Sequence, residues 1–131
     1  LPTPKFLNEA LVLKIHNQQI EKFGGTDGIR DQGLFESALA QPQATFSGEL
    51  LHPTIFEQAT AYLYHLIMNH PFIDGNKRTA FAVMDTFIRF NGYSLILSDT
   101  EAYEIVLQVA KSEMSKTALT KRLRESIKPK N

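Results

Sequence analysis

The sequence predicts an all-α domain with one short β-hairpin, organised around two central helices joined by a polar turn. Three observations carry this. Ile55, Phe56, Ala59, Tyr62, Leu63, Leu66 and Ile67 recur at helical spacing, and Ala80, Phe81, Val83, Met84, Phe87 and Ile88 do the same. Thr54 to Glu57 and Ser98 to Glu101 both have the Ser/Thr-x-x-Glu pattern of a capping box, a helix-start signal. Residues 43–52 lack a helical period and contain Ser47-Gly48, a turn signal.

The elements follow in order. Leu1 to Lys5, with Pro2 and Pro4, is expected to be extended. Asn8 caps a helix from Glu9 to about Phe23, with Leu11, Val12, Ile15, Ile20 and Phe23 toward the core. His16 stands alone in this helix, with no acid or nucleophile near it in sequence, and reads as structural. Gly24 to Gly28 is a loop without the Gly-Lys-Ser/Thr of a phosphate-binding P-loop. Arg30 has two readings, bracing this loop or lining a site, and the first is preferred. Asp31 starts a short helix through Ala40, with Leu34, Phe35, Ala38 and Leu39 inward, and Gln41-Pro42 ends it. Residues 43–52 have two readings, a short hairpin or flap and a plain surface loop. The first central helix runs from Thr54 to about Asn69, and the second stops at Asn91-Gly92. Tyr93 to Leu97 is short and extended. The capping box at Ser98 opens a helix to about Lys111 that carries Tyr103, Ile105, Val106 and Val109. Ser115 caps a last helix with Ala118, Leu119, Leu123 and Ile127.

Composition bounds the function. The 131 residues suit a single domain, residues 1–131. No apolar run approaches the length of about 20 residues that a membrane span needs, and no signal-peptide pattern is present. The absence of cysteine excludes disulfides and thiolate metal sites and fits a reducing cytoplasm. Zero net charge argues against non-specific nucleic-acid binding. Residues 111–131 nonetheless hold seven Lys/Arg against Glu113 and Glu125, leaving +5, so residues 1–110 carry −5. The simpler reading is a solvated face; the sharper one is a surface for an acidic partner. His65 and His70 are five apart, and His52 falls in the hairpin segment, so no histidine metal site is expected.

The turn between the central helices, His70-Pro71-Phe72-Ile73-Asp74-Gly75-Asn76-Lys77-Arg78-Thr79-Ala80, holds more chemistry than a turn needs. Pro71 cannot continue the helix and biases His70 away from helical angles. Gly75 permits backbone angles that a side chain forbids. Asn76 opens the second helix, whose first amides have no partner within it, and these face the positive end of the dipole. Lys77 and Arg78 add cations at the end of the helix where cations are unfavourable, a penalty that a bound anion removes. Asp74 can hold a divalent cation, since Mg²⁺ takes one or two carboxylates plus phosphate oxygens. Phe72 reads as a core anchor. The inferred ligand is a metal-bound polyphosphate. The plain alternative makes His70 structural, Asn76 a helix cap, and Lys77 and Arg78 solvated.

This run resembles the signature of the Fic/Doc family, His-x-Phe-x-Asp/Glu-Gly/Ala-Asn-Gly/Lys-Arg. It is most similar to the Doc-type, or death-on-curing, branch. Lys77 stands where the AMP-transferring branch usually has glycine, and Phe81 stands where that branch usually has a second arginine. The resemblance extends from Phe6 through the last helix in order of elements, and Gly24-Gly25, Gly28 to Asp31 and Leu34 to Pro42 share it. It implies a Fic/Doc-like helical bundle whose hairpin is a flap that aligns a target segment by strand addition.

For activity, the resemblance implies a toxin of a toxin–antitoxin pair that transfers the γ-phosphoryl group of ATP to a Ser/Thr hydroxyl. His70 would be the general base, Asp74 would hold Mg²⁺, and Gly75, Asn76, Lys77 and Arg78 would bind phosphates. The Asn76 side chain would fix either a phosphate oxygen or the loop. The implied target is translation elongation factor Tu, whose modification blocks translation. The implied inhibitor is a separate Phd-like antitoxin, because no Ser/Thr-x-x-x-Glu-Gly/Asn inhibitory run occurs in the sequence. AMP transfer and a catalytically idle binding module are the alternatives.

Overall fold

The computed structural model describes residues 3–130; Leu1, Pro2 and Asn131, and with them part of the expected extended start, lie outside the described residues. Among the described residues six helices account for most of the length: α1 (Glu9–Phe23), α2 (Gln32–Ala40), α3 (Ile55–Asn69), α4 (Asn76–Phe90), α5 (Asp99–Ala110) and α6 (Lys116–Ser126). Four very short strands make two antiparallel pairs, β1 (Thr45–Phe46) with β2 (Glu49–Leu50), and β3 (Tyr93–Leu95) with β4 (Ile127–Pro129). A 3₁₀ turn, Gln41–Gln43, follows α2. The fold is all-α with a short β-hairpin, as the sequence predicts.

The start signals are realised atom by atom. Asn8, Asp31, Ser98 and Ser115 each accept a hydrogen bond from the backbone amide three residues on, an arrangement that stabilises a helix by about 1 kcal/mol. Ser98 and Glu101 form the complete reciprocal box. Thr54 caps α3 by accepting from the Glu57 amide, but the Glu57 carboxylate takes the Thr54 hydroxyl instead of the Thr54 backbone amide.

Helix α3 is the axis of the molecule. Ala59, Ala61, Tyr62, Leu63 and Leu66 on it are fully buried, and it packs against α4, α6, α2 and α5. Facing it, α4 buries Ala80, Val83, Met84, Phe87 and Ile88. The buried apolar side chains form one cluster that also takes in Val12 of α1, Phe35 of α2, Val109 of α5 and Leu119 and Leu123 of α6. The segment before α1 is tied down by the central pair: the Leu7 amide donates to the Tyr62 hydroxyl (2.9 Å), and the Asn91 side chain clamps both backbone groups of Lys5.

Several expectations are corrected. Phe23 and Leu34 are exposed rather than inward, and on the later helices Ala118 is exposed and Tyr103 is 68% exposed. Each sits near a helix end or on the flank of its apolar stripe, where the neighbouring elements do not reach. Ile127 is buried, but on a strand: α6 ends at Ser126 and the chain turns extended to pair with Tyr93–Leu95. The sequence identifies 93–97 as extended without its partner, because residues 127–129 continue a helical period in sequence. The hairpin is where expected, and Ser47 and Gly48 both have positive φ, 52° and 81°, as a tight two-residue connection requires.

Candidate active site

The turn from α3 into α4 is built on a layer of backbone and side-chain contacts from the α1–α2 connection. His70 is the C-cap of α3 with φ 48° and ψ 54°, a left-handed conformation. For a non-glycine residue this is uncommon and costs about 1–2 kcal/mol. Arg30 offsets that strain, donating from Nε to the His70 carbonyl (2.7 Å) and from Nη2 to the Asn69 carbonyl (3.0 Å). Arg30 therefore braces the turn between α3 and α4 rather than the 24–28 loop, which its side chain does not hydrogen-bond. The His70 side chain is exposed, and no hydrogen bond to its ring is found among the described residues.

Phe72 is the anchor. It is fully buried, stacked on His16 with centroids 3.9 Å apart and planes 7° apart, and tilted against Phe35 at 5.4 Å. Asn76, 6% exposed, returns its side chain to the Phe72 backbone: Oδ1 accepts from the Phe72 amide and Nδ2 donates to the Phe72 carbonyl, both at 2.9 Å. Of the two roles open to the Asn76 side chain, it performs loop closure, and both its polar atoms are occupied. Only its backbone amide remains for an anion.

Asp74 is exposed and turned toward the 24–28 loop, where its Oδ2 accepts from the Thr26 amide (2.8 Å). Its backbone carbonyl accepts from His16 Nε2 (2.8 Å). Gly75, with φ 74°, is the N-cap of α4 and supplies no side-chain cap. The amides of residues 75–78 meet no acceptor among the described residues. They point along the positive end of the α4 dipole, the ordinary make-up of an anion site. Lys77 and Arg78 are exposed beside them; Arg78 donates to the Gly24 carbonyl (3.1 Å) and lies 5.1 Å from the Phe23 ring centroid. That contact explains the exposed Phe23, which backs a guanidinium instead of filling the core.

The motif residues thus line one continuous loop: an uncommitted imidazole at its start, a carboxylate in its middle, and free amides with two cations at its end. The donor set suits a cation that brings most of its own ligands. Asp74 has one oxygen unpaired, and no cluster of three or more His, Cys, Asp or Glu exists among the described residues. Mg²⁺ tolerates this, because water and phosphate oxygens complete its shell. Two shallow concavities of about 350 and 330 Å³, one between Leu7 and Gln43 and one between Glu57 and Arg124, contain none of the motif residues.

Sequence reasoning missed the supporting layer. The Arg30 and Asp31 amides donate to the Pro71 carbonyl, the Ile73 amide donates to the Gly28 carbonyl, and Ile29 bridges Phe72. The available signal was the glycine content of 24–28. A Cβ at Gly25 would lie 3.2 Å from Asp74 Cβ, and one at Gly28 would lie 3.0 Å from Ile73 Cδ1, so the glycines permit close approach. A second titratable cluster joins α3 to α6. Lys116 Nζ lies 2.8 Å from His65 Nε2. Burial, with Lys116 and His52 as nearby positive groups, pushes the His65 pKa down to about 4.

The chain matches a family model described as Fic/DOC family over residues 6–88. "Toxin Doc" of Mycolicibacterium smegmatis is 47% identical over 73 residues, which cover 56% of each chain. The chain therefore spans little more than half the length of that relative in the match. "Protein kinase doc" of Escherichia phage P1 is 29% identical over 113 residues, 86% of this chain and 88% of that protein. No helix among the described residues is long and apolar enough to cross a membrane.

Proposed function

The chain belongs to the Fic/DOC family, and from that membership we propose that it is the toxin of a toxin–antitoxin pair, acting as a kinase on a protein Ser or Thr hydroxyl. The observation that supports this most directly is the pairing of an exposed, unbonded His70 ring with four free amides and two cations at the start of α4. A relative named as a protein kinase, aligned over most of both chains, points the same way.

In this reading the triphosphate lies on the amides of residues 75–78, held by Lys77 and Arg78. Mg²⁺ at Asp74 would neutralise charge on the phosphates. As the target hydroxyl oxygen bonds to the γ-phosphorus, the bond from that phosphorus to the β,γ-bridging oxygen breaks and ADP leaves. His70 accepts the hydroxyl proton, a role worth about 10²–10⁴-fold in rate. Amides fixed before the reaction stabilise developing charge without reorganising. The partly buried Phe81 cannot serve a phosphate, which favours γ-phosphoryl over AMP transfer. On the family's pattern the target is translation elongation factor Tu, the inhibitor is a Phd-like antitoxin and the compartment is the cytoplasm, with no nucleic acid or membrane bound directly.

The test is incubation of the protein and Mg²⁺ with elongation factor Tu and ATP labelled at the α or the γ position. Label from the γ position alone supports the proposal, and α-label retained on the target replaces it with AMP transfer. A folded His70→Ala protein should lose activity by about 10²–10⁴-fold. Undiminished growth arrest by that variant would mean an idle binding module.

A further inference from the structure

In sequence His16 stands alone, but in the fold its contacts all fall on the motif loop and the layer beneath it. Only 2% of its surface is exposed. One face stacks on Phe72, Nε2 meets the Asp74 carbonyl, and Nδ1 lies 3.4 Å from Asp27 Oδ1. A carbonyl can only accept, so Nε2 carries the proton. One turn further along α1, Ile20 Cδ1 lies 3.2 Å from where a Cβ would stand at either Gly25 or Gly75. His16 and Ile20 thus form a floor beneath Asp74 and Gly75. The floor fixes the backbone at the point where the chain turns from the carboxylate to the free amides.

We propose that His16 is a positioning residue: by holding the Asp74 carbonyl from below, it aims the Asp74 carboxylate at the cation that accompanies the nucleotide. This rests on the nucleotide-binding reading of the loop. The hydrogen bond and the stack are separable. His16→Phe keeps a flat ring against Phe72 and removes the donor; His16→Gln keeps a donor near Nε2 and removes the ring. A purely structural role predicts that the ring matters. Positioning predicts that the donor matters, and only for binding that involves the cation.

The experiment titrates the β,γ-imido analogue of ATP into wild type, His16→Phe, His16→Gln and Asp74→Ala by calorimetry, with and without Mg²⁺. Removing an outer partner of a metal ligand lowers metal affinity by about 10–100-fold. His16→Phe should therefore weaken binding in Mg²⁺ by at least about tenfold and match wild type without Mg²⁺, as Asp74→Ala should. His16→Gln should recover most of the loss. The proposal is overturned if His16→Phe binds like wild type in Mg²⁺, if it loses both affinities equally, or if His16→Gln fails to recover. Should wild type bind no nucleotide at all, the functional reading fails, and amide NMR spectra of the same proteins decide the positioning claim. Displaced resonances for residues 72–78 in His16→Phe, restored in His16→Gln, uphold it; unmoved resonances in His16→Phe overturn it.

Discussion

Replacing Asn76 with alanine tests whether that side chain closes the loop or serves a ligand. The change removes both bonds to the Phe72 backbone. Phe72 is fully buried, so its amide and carbonyl are left with no water to replace the lost partner. Two ordinary hydrogen bonds contribute about 1–3 kcal/mol together, and each orphaned buried group costs about 1–3 kcal/mol. Alanine returns about 0.5 kcal/mol through its better helix propensity. The expected loss is about 2–4 kcal/mol, which urea unfolding followed by circular dichroism would register as a midpoint lowered by roughly 1–2 M. Asn76→Asp keeps the acceptor but turns a carboxylate oxygen toward the Phe72 carbonyl. It should destabilise too, although an acid at a helix start gains about 0.3–1 kcal/mol from the dipole. A loss below about 0.5 kcal/mol in Asn76→Ala, or a gain in Asn76→Asp, would refute the clamp and return the side chain to the ligand.

Arg30→Ala frees the Asn69 and His70 carbonyls at a strained helix end; at this exposed position it should cost about 1–2 kcal/mol, read by thermal unfolding, with Arg30→Lys unable to restore both bonds. Gly75→Ala puts a side chain at φ 74° against Ile20 and should lose about 1–2 kcal/mol; an unchanged urea midpoint would contradict the left-handed turn. His65 has its pKa depressed to about 4 in the folded chain. The unfolded chain therefore takes up the extra proton first, and the stability is full above about pH 6.5 and drains away as pH falls toward about 4. The half-exposed setting limits the effect to about 1–2 kcal/mol, and His65→Gln should flatten that part of the stability–pH curve.

The helices were legible because their signals are local. A cap side chain and the amide three residues on lie within one turn, and the apolar stripe of α3 repeats every third or fourth residue. The β-hairpin was legible only through the turn signal Ser47-Gly48, in which Gly48 takes positive φ freely and Ser47 takes it at the usual cost of a non-glycine residue. The pairing of Tyr93–Leu95 with Ile127–Pro129 was not, since it joins segments more than thirty residues apart and neither has an alternating pattern long enough to read. The motif residues could be named from their spacing, but what each touches could not. Asn76 looked equally suited to cap, ligand or clamp. His16 looked isolated because its partners, Phe72 and Asp74, are brought to it only when α1 lies against α4.

The hydrogen bonds between 24–31 and 70–78 have a consequence for any attempt to shorten the protein. A fragment of residues 54–91 would retain every residue of the signature. It would lose Arg30 from the strained histidine, the Thr26 amide from the aspartate, and the imidazole beneath the glycine. Such a miniature would preserve the wording of the motif while discarding its geometry. Grafts onto other helical hairpins should carry α1 and the α1–α2 connection with them.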